Sequence, residues 1–517
     1  MPLARGYAMA LTGVQAHVVE IEADIENGLV GLQLVGLPDT ALREARERIR
    51  SAIVNSQLTW PYRRITVGLS PASLPKRGSG FDLGIALAIL AADGSIPVAA
   101  LAGTVLLGEL GLDGRLRPVP GVLPSLASAA AAGFSQAVVP PDNAAEAALV
   151  PGLRVISAAT LQDLAAWARD EHAAGVTVTD TGPDGLRPPP VPAATTGRAR
   201  DLADVVGQPV ARRAAEISAA GGHHMLLLGP PGVGKTMLAE RLPTIMPALD
   251  PAAALEVSAI HSVAGALAPG RPLLTEPPFC APHHTATKAA IVGGGSGLIR
   301  PGAASLAHHG CLFLDEAPEF DRDVLDALRQ PLESGSIMIA RSGLTAHFPA
   351  RFTLVMAANP CPCSHSAGAG EACVCTPLAR RRYLARLSGP LLDRVDVKVQ
   401  LLPVGRAELL SDQQLAEPSH VVARRVAEAR ARATRRLAGT RWRLNAEVPG
   451  PELRRSFRPA PGALEPLERA MDLGQISARG ADRVIRMSWT LADLAGRDRP
   501  SLGEIASGLA LWLGAAL

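Results

Sequence analysis

The sequence predicts an α/β protein of several domains, with a strand–loop–helix core in the middle of the chain and an α-helical region after it. Three observations support this prediction. A glycine-rich loop, 229–236, lies between a short apolar run and a segment with helical spacing. A second apolar run, 311–314, ends in two acids. A stretch rich in Pro, Gly and Thr, from about 174 to 200, separates this core from an N-terminal part of mixed character.

Residues 1–170 form the first predicted domain. Strand-like runs alternate there with segments of helical spacing (17–21, 40–55, 65–67 and 81–91). This alternation predicts an α+β or α/β domain. The prolines and glycines of 171–200 cannot bury a core, so we expect a linker there.

Length and composition limit what the chain can be. Its 517 residues suffice for about three domains, and a hydrophobic content of 48% can fill sizeable cores. We expect a cytoplasmic protein without a membrane partner, because no run of 18 apolar residues lacks a charge or glycine and the first residues do not resemble a signal peptide. Six cysteines do not suggest a disulfide scaffold, and a net charge of +3 does not by itself indicate a nucleic-acid surface.

The glycine-rich loop fits the phosphate-binding pattern G-x-x-x-x-G-K-[ST] with Gly229, Pro230, Pro231, Gly232, Val233, Gly234, Lys235 and Thr236. Its glycines let backbone N–H groups face phosphate oxygens. We expect Lys235 to reach the β- and γ-phosphates of ATP and Thr236 to place its hydroxyl on Mg²⁺. After the second apolar run, Asp315 is expected to hold the Mg²⁺ and Glu316 to polarise the attacking water. The two motifs in this order predict an ATPase.

Long motifs in and after the core resemble the magnesium-chelatase-like AAA+ ATPases, in particular the ComM/YifB group. They are Pro-His-His-Thr-Ala-Thr (282–287), Gly-Gly-Gly (293–295), the segment 301–320, Ala-Ala-Asn-Pro-Cys-Pro-Cys (357–363) and Ser-Gly-Pro-Leu-Leu-Asp-Arg-Val-Asp (388–396). The resemblance covers essentially the whole chain. It implies an AAA+ P-loop αβα core over 201–403 and an α-helical lid domain over 404–517.

The segment 106–123 resembles the proteolytic domain of Lon-type proteases. In that family the segment leads to a catalytic lysine, and a serine precedes a glycine at the start of a helix. The lysine and serine positions fall on Leu123 and Asp82 here, and neither residue can do that chemistry. We therefore expect a Lon-like α+β domain without the Ser/Lys dyad, with a role in scaffolding, oligomerisation or DNA contact. Lys76, in a turn nearby, is expected to be solvated.

The AAA+ resemblance implies roles for further residues. Asn359 resembles the sensor-1 asparagine, which orients the water or touches the γ-phosphate; the alternative is a cap of the turn before Pro360. Arg394 resembles the arginine finger, which is offered to the nucleotide of a neighbouring subunit; the alternative is a surface ion pair with Asp393 or Asp396.

Arg479 resembles sensor 2, which binds phosphate in cis, although Arg483 and Arg486 lie on the same predicted helix. An arginine that acts in trans leaves a monomer with an incomplete site. Together with the family resemblance, this implies a ring, a homo-hexamer.

Four cysteines have the spacing C-x-C, nine intervening residues, C-x-C: Cys361, Cys363, Cys373 and Cys375. Four thiolates so close in sequence can close a tetrahedral site for a structural Zn²⁺, and four reduced thiols in a loop are the alternative. The adjacent pairs His283–His284 and His308–His309 are expected to be structural, because neighbours in a regular element point in different directions.

Two basic segments are candidates for DNA contact. Lys288 and Arg300 flank the triple glycine. A helix predicted over 419–437 carries an arginine run that can neutralise phosphates, with Arg424, Arg425 and Arg432 as candidates. The alternatives are an ordinary surface loop and a solvated or intersubunit helix.

The resemblance implies an ATP-driven hexameric DNA motor, a helicase that promotes branch migration in homologous recombination or natural transformation, with recombination proteins as further partners. A magnesium chelatase ATPase subunit that drives metal insertion into a porphyrin is one alternative. The Lon-like domain argues against it, because the chelatase subunits that resemble this core lack such a domain. A protein-remodelling or scaffolding AAA+ protein is the other alternative.

Overall fold

The structure is a computed structural model, which describes residues 3–36, 41–74, 76, 78–170, 173–182, 200–268, 270–295, 299–341, 344–363, 373, 375–413 and 415–514. Its strands are β1 (Leu3–Thr12), β2 (Gln15–Glu26), β3 (Gly31–Val35), β4 (Arg64–Ser70), β5 (Thr104–Leu106), β6 (Glu109–Leu110), β7 (Leu116–Arg117), β8 (Gln136–Val139), β9 (Arg154–Ala158), β10 (Val176–Asp180), β11 (Met225–Leu228), β12 (Phe279–Cys280), β13 (Cys311–Leu314), β14 (Ser336–Arg341), β15 (Leu344–Pro349), β16 (Thr353–Ala358) and β17 (Val397–Gln400).

The helices follow the same chain order. They are α1 (Ala41–Asn55), α2 (Asp82–Ala92), α3 (Val122–Ala131), α4 (Pro141–Ala147), α5 (Leu161–Arg169), α6 (Pro209–Gly221), α7 (Lys235–Ile245), α8 (Pro251–Ala264), α9 (Lys288–Val292), α10 (Ala303–Leu306), α11 (Arg322–Ala327), α12 (Arg329–Ser334), α13 (Pro377–Leu384), α14 (Gly389–Leu392), α15 (Arg406–Gln413), α16 (Ser419–Arg436), α17 (Gly450–Arg455), α18 (Glu465–Asp472), α19 (Ala478–Leu494) and α20 (Leu502–Leu513). This mixture of strands and helices confirms the predicted α/β multidomain class.

The N-terminal domain is built on one mixed sheet with the order β10-β9-β8-β5-β1-β2-β4-β3. The pairs β1–β2 and β2–β4 are antiparallel, and β5, β8 and β9 run parallel to one another. Every residue of α2 is buried, which fits its almost entirely apolar sequence. α1 and α2 begin within one residue of the predicted helices.

The last strand of this sheet lies in the segment expected to be a linker. β10 pairs antiparallel with β9, from Val176 opposite Ala158 to Asp180 opposite Arg154. The Thr181 hydroxyl then donates to the carbonyls of Val150 and Leu153 at 2.9 and 2.7 Å. The N-terminal sheet therefore extends beyond residue 170, and residues 183–199 lie outside the described part of the chain.

Lys76 is buried, which contradicts the expectation of a solvated side chain. Its exposure is 0%. The ammonium group donates to the carbonyls of Gly36 (3.3 Å), Leu74 (3.2 Å) and Pro71. Burial lowers the pKa of Lys76. With its three carbonyl acceptors, Lys76 stabilises the conformation of its loop.

An ion pair occupies the serine position of the Lon-like comparison. Asp82 is 1% exposed and accepts from Arg48 Nε at 2.9 Å. Burial raises the pKa of Asp82 to about 6, and Arg48 opposes this rise. Leu123, at the lysine position, is also buried. The two positions therefore serve the core of the domain.

The central domain is a parallel sheet with the order β12-β13-β16-β11-β17. β11 pairs in parallel with both β16 and β17, with Met225 opposite Val355 and Val397. The residues of β13 and β16 are all buried, as parallel strands covered on both faces require. Since the strands share one direction, the residues that follow them collect at one end of the sheet and the residues that precede them at the other.

The chain after β17 is helical in its described part. α16 has an apolar stripe with helical spacing (Val422, Val426, Ala429 and Ala433) that is buried. Through this stripe α16 packs against α6 and α7 of the core and against α19 of the lid. The lid domain is thereby attached to the side of the sheet.

Both α3 and the β1–β2 turn of the N-terminal domain contact the central domain. α3 packs against α8, where the Gly121 N–H donates to the Ser262 carbonyl at 3.0 Å and the Ser262 hydroxyl donates to the buried Glu146. The β1–β2 turn lies against the β14–β15 hairpin. Gly13 has a φ of +68°, and a Cβ there would lie 2.6 Å from the carbonyl oxygen of His347, so this contact requires glycine.

None of the described helices combines the length and the apolar composition that a membrane crossing requires.

Candidate nucleotide-binding site

The carboxyl ends of three neighbouring strands bring the predicted ATP residues together. Gly229 follows β11, Asp315 follows β13 and Asn359 follows β16. The order β13-β16-β11 places β16, which carries Asn359, between the other two. Ligands of open parallel sheets bind at this end, so the topology alone positions a site here.

The glycine-rich loop has a conformation that its sequence dictates. Gly232 and Gly234 have φ of +81° and +92°, the left-handed region that side chains avoid. α7 begins at Lys235, directly after Gly234. The positive end of the helix dipole therefore faces the same space as the loop, and both favour phosphate.

Lys235 is 8% exposed and lies at the centre of the site. Its ammonium group donates to the carbonyls of Gly229 (2.6 Å) and Pro230 (2.9 Å) and to Asn359 Oδ1 (2.9 Å). Burial lowers the pKa of Lys235, while Asp315 and Glu316 oppose that shift. The contact with the side-chain oxygen links Asn359 to the site, which the turn-cap alternative does not predict.

Thr236 and Asp315 form the pair that can hold Mg²⁺. The Thr236 hydroxyl donates to Asp315 Oδ2 at 2.7 Å, and Asp315 Oδ1 accepts from the Glu316 N–H at 2.9 Å. A hydroxyl and a carboxylate oxygen so close together are hard donors of the kind that would hold Mg²⁺. The donor set therefore fits the predicted ion.

Glu316 has a φ of +50°, unusual for a residue other than glycine, and its side chain is 49% exposed. Its Oε2 atom lies 3.3 Å from Nδ1 of His284, which follows β12, the strand next to β13. His284 thus contacts the expected catalytic base. Sequence reasoning assigned this histidine a structural role and missed the contact, because only the strand order makes the two segments neighbours.

Arg394 lies at the opposite end of the sheet from the phosphate loop. It precedes β17, and the backbone N–H groups of Asp396 and Val397 donate to the carbonyl of His224, which precedes β11. A four-residue strand spans about 13 Å, so the amino ends are separated from the loop by at least that distance. Arg394 contacts Glu333 and the Pro390 carbonyl, and not Asp393 or Asp396 as the ion-pair alternative supposed.

The three sensor-2 candidates differ in what they contact. Arg483 donates to Asp396 Oδ1 at 2.5 Å and to the Arg394 carbonyl at 3.1 Å. Arg486 donates to the Val448 carbonyl at 2.6 Å. Arg479 is exposed and has no hydrogen-bond partner among the described residues. Of the three, Arg479 is the one that is free to bind a ligand.

Arg479 lies at the same end of the central sheet as Arg394. It lies one helical turn before Arg483, which binds the Arg394 carbonyl, and burial together with the charges of Arg329, Arg483 and Arg479 lowers the pKa of Arg394. This places Arg479 at the amino ends of the strands, away from Lys235 of the same chain. Arg394 and Arg479 therefore lie on the same side of the central sheet, and the contact of Arg479 in cis stays a prediction.

His224 predicts a pH dependence of stability. Its Nδ1 atom accepts from the Leu354 N–H at 3.0 Å, and burial lowers its pKa to about 4. Between pH 6.5 and 4 the unfolded chain takes up a proton that the folded chain refuses, so stability falls as the pH falls. The ring keeps a partly exposed edge, so we expect a loss of about 1–2 kcal/mol at pH 5 relative to pH 7.

The measurement is the difference in melting temperature between pH 7 and pH 5 for the wild type and for His224→Gln. The variant should show the smaller difference. Equal differences for the two proteins would contradict the conclusion that His224 causes the loss of stability at low pH.

The four cysteines converge. All four sulfurs of Cys361, Cys363, Cys373 and Cys375 lie within 4.8 Å of one another. Residues 364–372 and 374 between them lie outside the described part of the chain. The spacing alone predicted this convergence.

His308 and His309 both face one carboxylate. The expectation that their side chains point in different directions was therefore wrong. Their Nε2 atoms lie 3.2 and 3.3 Å from Glu256 Oε2. The reasoning assumed regular backbone, whereas His309 has a φ of +57°. His308 Nδ1 accepts from the Arg351 N–H at 2.9 Å. The proton of the neutral ring is therefore on Nε2, facing Glu256, which fits a structural role and not metal ligation.

Lys288 and Arg300 are both exposed. Gly294 and Arg300 exchange two backbone hydrogen bonds, of 3.0 and 2.9 Å, so the segment turns back on itself. Neither basic side chain forms an ion pair with a residue that the structure describes. Both are available to an outside phosphate.

Most arginines of α16 have partners within the chain, which weakens the prediction that this helix contacts DNA. Arg425 forms ion pairs with Glu216 (2.7 Å) and Glu417 (2.6 Å), and Arg432 donates to the Asp493 carbonyl at 2.7 Å. They flank the buried stripe of the helix and fasten it to its neighbours. Arg424 alone of the three candidates is exposed, without a partner in the described chain.

Family models match most of the chain. Residues 201–409 match the model described as magnesium chelatase, subunit ChlI, residues 416–511 match its C-terminal model, and residues 21–143 match subunit ChlI of Mg-chelatase. The boundary near 410 follows the end of β17, where the helical part begins.

Relatives match over nearly the full length. An uncharacterised protein of Mycobacterium tuberculosis is 51% identical over 98% of both chains. The uncharacterised protein YifB of Escherichia coli is 41% identical over 96% of this chain and 94% of its own. The competence protein ComM of Haemophilus influenzae is 40% identical over 98% of this chain and 97% of its own. With this site and these matches, the chain belongs to the ComM/YifB group of the magnesium-chelatase-like AAA+ family.

Proposed function

We propose that the protein is an ATP-dependent DNA motor that works as a homo-hexameric ring, a helicase that promotes branch migration. The observation that carries the proposal is the division of the site between the two ends of one sheet. Lys235, Thr236, Asp315, Glu316 and Asn359 lie at the carboxyl end, and Arg394 and Arg479 at the amino end.

Each group at the carboxyl end supports one part of ATP hydrolysis. Lys235 and the loop N–H groups bind the phosphates, and Thr236 and Asp315 would hold Mg²⁺, which would supply positive charge to neutralise the phosphates. Glu316 is half exposed and accepts a proton from the attacking water, while Asn359 orients that water. His284, 3.3 Å from Glu316, holds the carboxylate before the reaction.

The amino end supports the ring. An arginine near the transferring phosphoryl group stabilises its charge, and Arg394 cannot reach the phosphate loop of its own chain across the length of the strands. A heterologous contact that repeats with closure places the amino end of one subunit on the carboxyl end of the next. Arg394 and Arg479 then complete the neighbouring site together.

The DNA part of the proposal rests on the relative named as a competence protein and on the segment 288–300. Lys288 and Arg300 are two exposed cations without described intrachain partners, and between them lies the triple glycine. Such a segment can follow a phosphate backbone without reading bases. Stacking on bases has little support, since only 3% of the residues are aromatic.

The experiment measures ATPase activity with and without forked or four-way-junction DNA at several salt concentrations. We expect stimulation that weakens as salt rises. The double variant K288A/R300A should lose most of the stimulation, keep its DNA-free activity and reduce the salt slope of binding by about 2.

Arg469→Ala is the matched control, because Arg469 is exposed on α18 and pairs only with Glu465 in the described chain. It should behave as the wild type. Absence of both DNA stimulation and DNA binding at low salt would rule out the motor. The variant R424A tests separately whether α16 contacts DNA.

A second candidate is a magnesium chelatase subunit, which the descriptions of the three matching family models favour. The match to a curated chelatase subunit from Rhodobacter capsulatus is short, 35% identity over 13% of this chain. ComM matches over 98% of it. ATPase activity that is the same with and without DNA would favour the chelatase subunit over the DNA motor.

A further inference from the structure

The four-cysteine cluster lies beside the candidate sensor asparagine. Cys361 and Cys363 follow Asn359 by two and four residues, and Cys373 and Cys375 precede α13. Cys361 is fully buried and the other three are partly buried. The cluster is thus placed between the end of a core strand and the start of a helix.

The sulfur distances fit one tetrahedral ion. The sulfur of Cys361 lies 3.3 Å from that of Cys363 and 3.4 Å from that of Cys373, and the sulfurs of Cys363 and Cys373 are 3.5 Å apart. Zinc–sulfur bonds of about 2.3 Å in a tetrahedron require sulfurs about 3.8 Å apart. A disulfide requires about 2.0 Å, so the cysteines are not oxidised pairs.

The composition of the cluster selects the ion. Four thiolates form a soft donor set that prefers zinc over magnesium or calcium. Four protein ligands leave no position for water or substrate, so such an ion is structural and not catalytic. Arg380 of α13 donates a hydrogen bond to the Cys373 sulfur and offsets part of the negative charge of such a site.

α13 connects the cluster back to the nucleotide site. The helix is capped by Thr376, whose hydroxyl accepts from the Ala379 N–H at 3.2 Å. Seven residues after the cap, Tyr383 is 6% exposed and its hydroxyl is hydrogen-bonded by the backbone of Asn359. Asn359, which contacts Lys235, is therefore connected to α13 in two ways: through the cysteine cluster and through Tyr383.

We propose that Cys361, Cys363, Cys373 and Cys375 bind one structural Zn²⁺, and that this ion positions Asn359 for ATP hydrolysis by fixing both the segment that follows it and α13. Without the ion, the four thiols would no longer link the end of β16 to the start of α13. In this proposal the cysteines are positioning residues, because they act on ATP hydrolysis only through Asn359.

The first experiment determines the metal content of purified full-length protein by mass spectrometry. We expect about one zinc per chain, and below about 0.1 in the C361S/C363S variant. Cys280→Ser is the matched control, since Cys280 is a partly buried thiol outside the cluster, and it should keep its zinc. Less than about half an equivalent in the wild type, iron in place of zinc, or unchanged zinc in C361S/C363S would overturn the site. This result does not depend on the proposed DNA motor.

The second experiment separates positioning from general stability. Wild-type protein in which Co²⁺ replaces zinc should show the absorption of tetrahedral cobalt thiolate. This measurement does not use the double variant, so it tests the site even if that variant folds poorly. In C361S/C363S we expect kcat for ATP to fall about tenfold or more with the affinity for ATP kept within about threefold, because Lys235, Thr236 and Asp315 are untouched. A parallel loss of affinity and kcat, or an unchanged kcat, would contradict the positioning role.

Discussion

Replacing Glu316 by Gln is expected to lower kcat for ATP hydrolysis by about 10²–10⁴, because the water then loses its proton acceptor. ATP should still bind, since Lys235, Thr236 and Asp315 hold phosphate and Mg²⁺ without it. The variant should therefore trap ATP and keep its DNA binding. Turnover by quenched flow and retention of labelled ATP by filter binding measure the two effects.

Glu319→Gln is the matched control. Glu319 is an exposed acid three residues on, and it pairs with Arg386 at 2.9 Å. Its replacement should leave turnover unchanged. Near-normal turnover in E316Q would show that the base has been misassigned.

Replacing Arg394 by Ala is expected to lower kcat by about 10³–10⁵ through the neighbouring subunit, the range that an arginine finger contributes in related NTPases. The Arg394 side chain is only 15% exposed, so the melting temperature of R394A must be measured beside its activity to separate a folding effect from the loss of the finger. Arg394→Lys should recover only a small part of the rate, since lysine keeps the charge and loses the planar fork.

Light scattering checks that R394A still forms rings, and steady-state ATPase assays measure the loss. If rings form and the rate stays within about threefold of the wild type, Arg394 is not the finger. A difference between the wild type and R394A that persists when both proteins are diluted to monomers would also contradict a role in trans.

The local parts of this candidate site are the parts that the sequence can locate. The phosphate loop and the acids after β13 depend on a few neighbouring residues, whose spacing sets the backbone that the chemistry needs. The cysteine spacing likewise predicted a cluster. Each of these is a short-range pattern, so one sequence suffices to locate it.

Long-range packing limited the rest. Lys76 has three carbonyl partners from a distant turn and its own loop, and no local pattern indicates that it is buried. Helical spacing predicted α16, but only its packing against α6 and α19 shows that Arg425 and Arg432 serve the fold. His284 meets Glu316 because β12 lies beside β13, and Arg479 lies beside Arg394 because α19 returns to the amino ends of the strands. The first depends on strand order and the second on helix packing, and no local sequence pattern gives either.

The central claim is that each ATP site is shared between two subunits, and mixing two inactive variants tests it most directly. E316Q keeps Arg394, and R394A keeps Glu316. In a randomly mixed ring, about a quarter of the interfaces unite an intact Glu316 with an intact Arg394 of the next subunit. The account predicts that ATPase activity in the mixture rises towards about a quarter of the wild-type value. Activity equal to the average of the two variants alone would contradict a shared site.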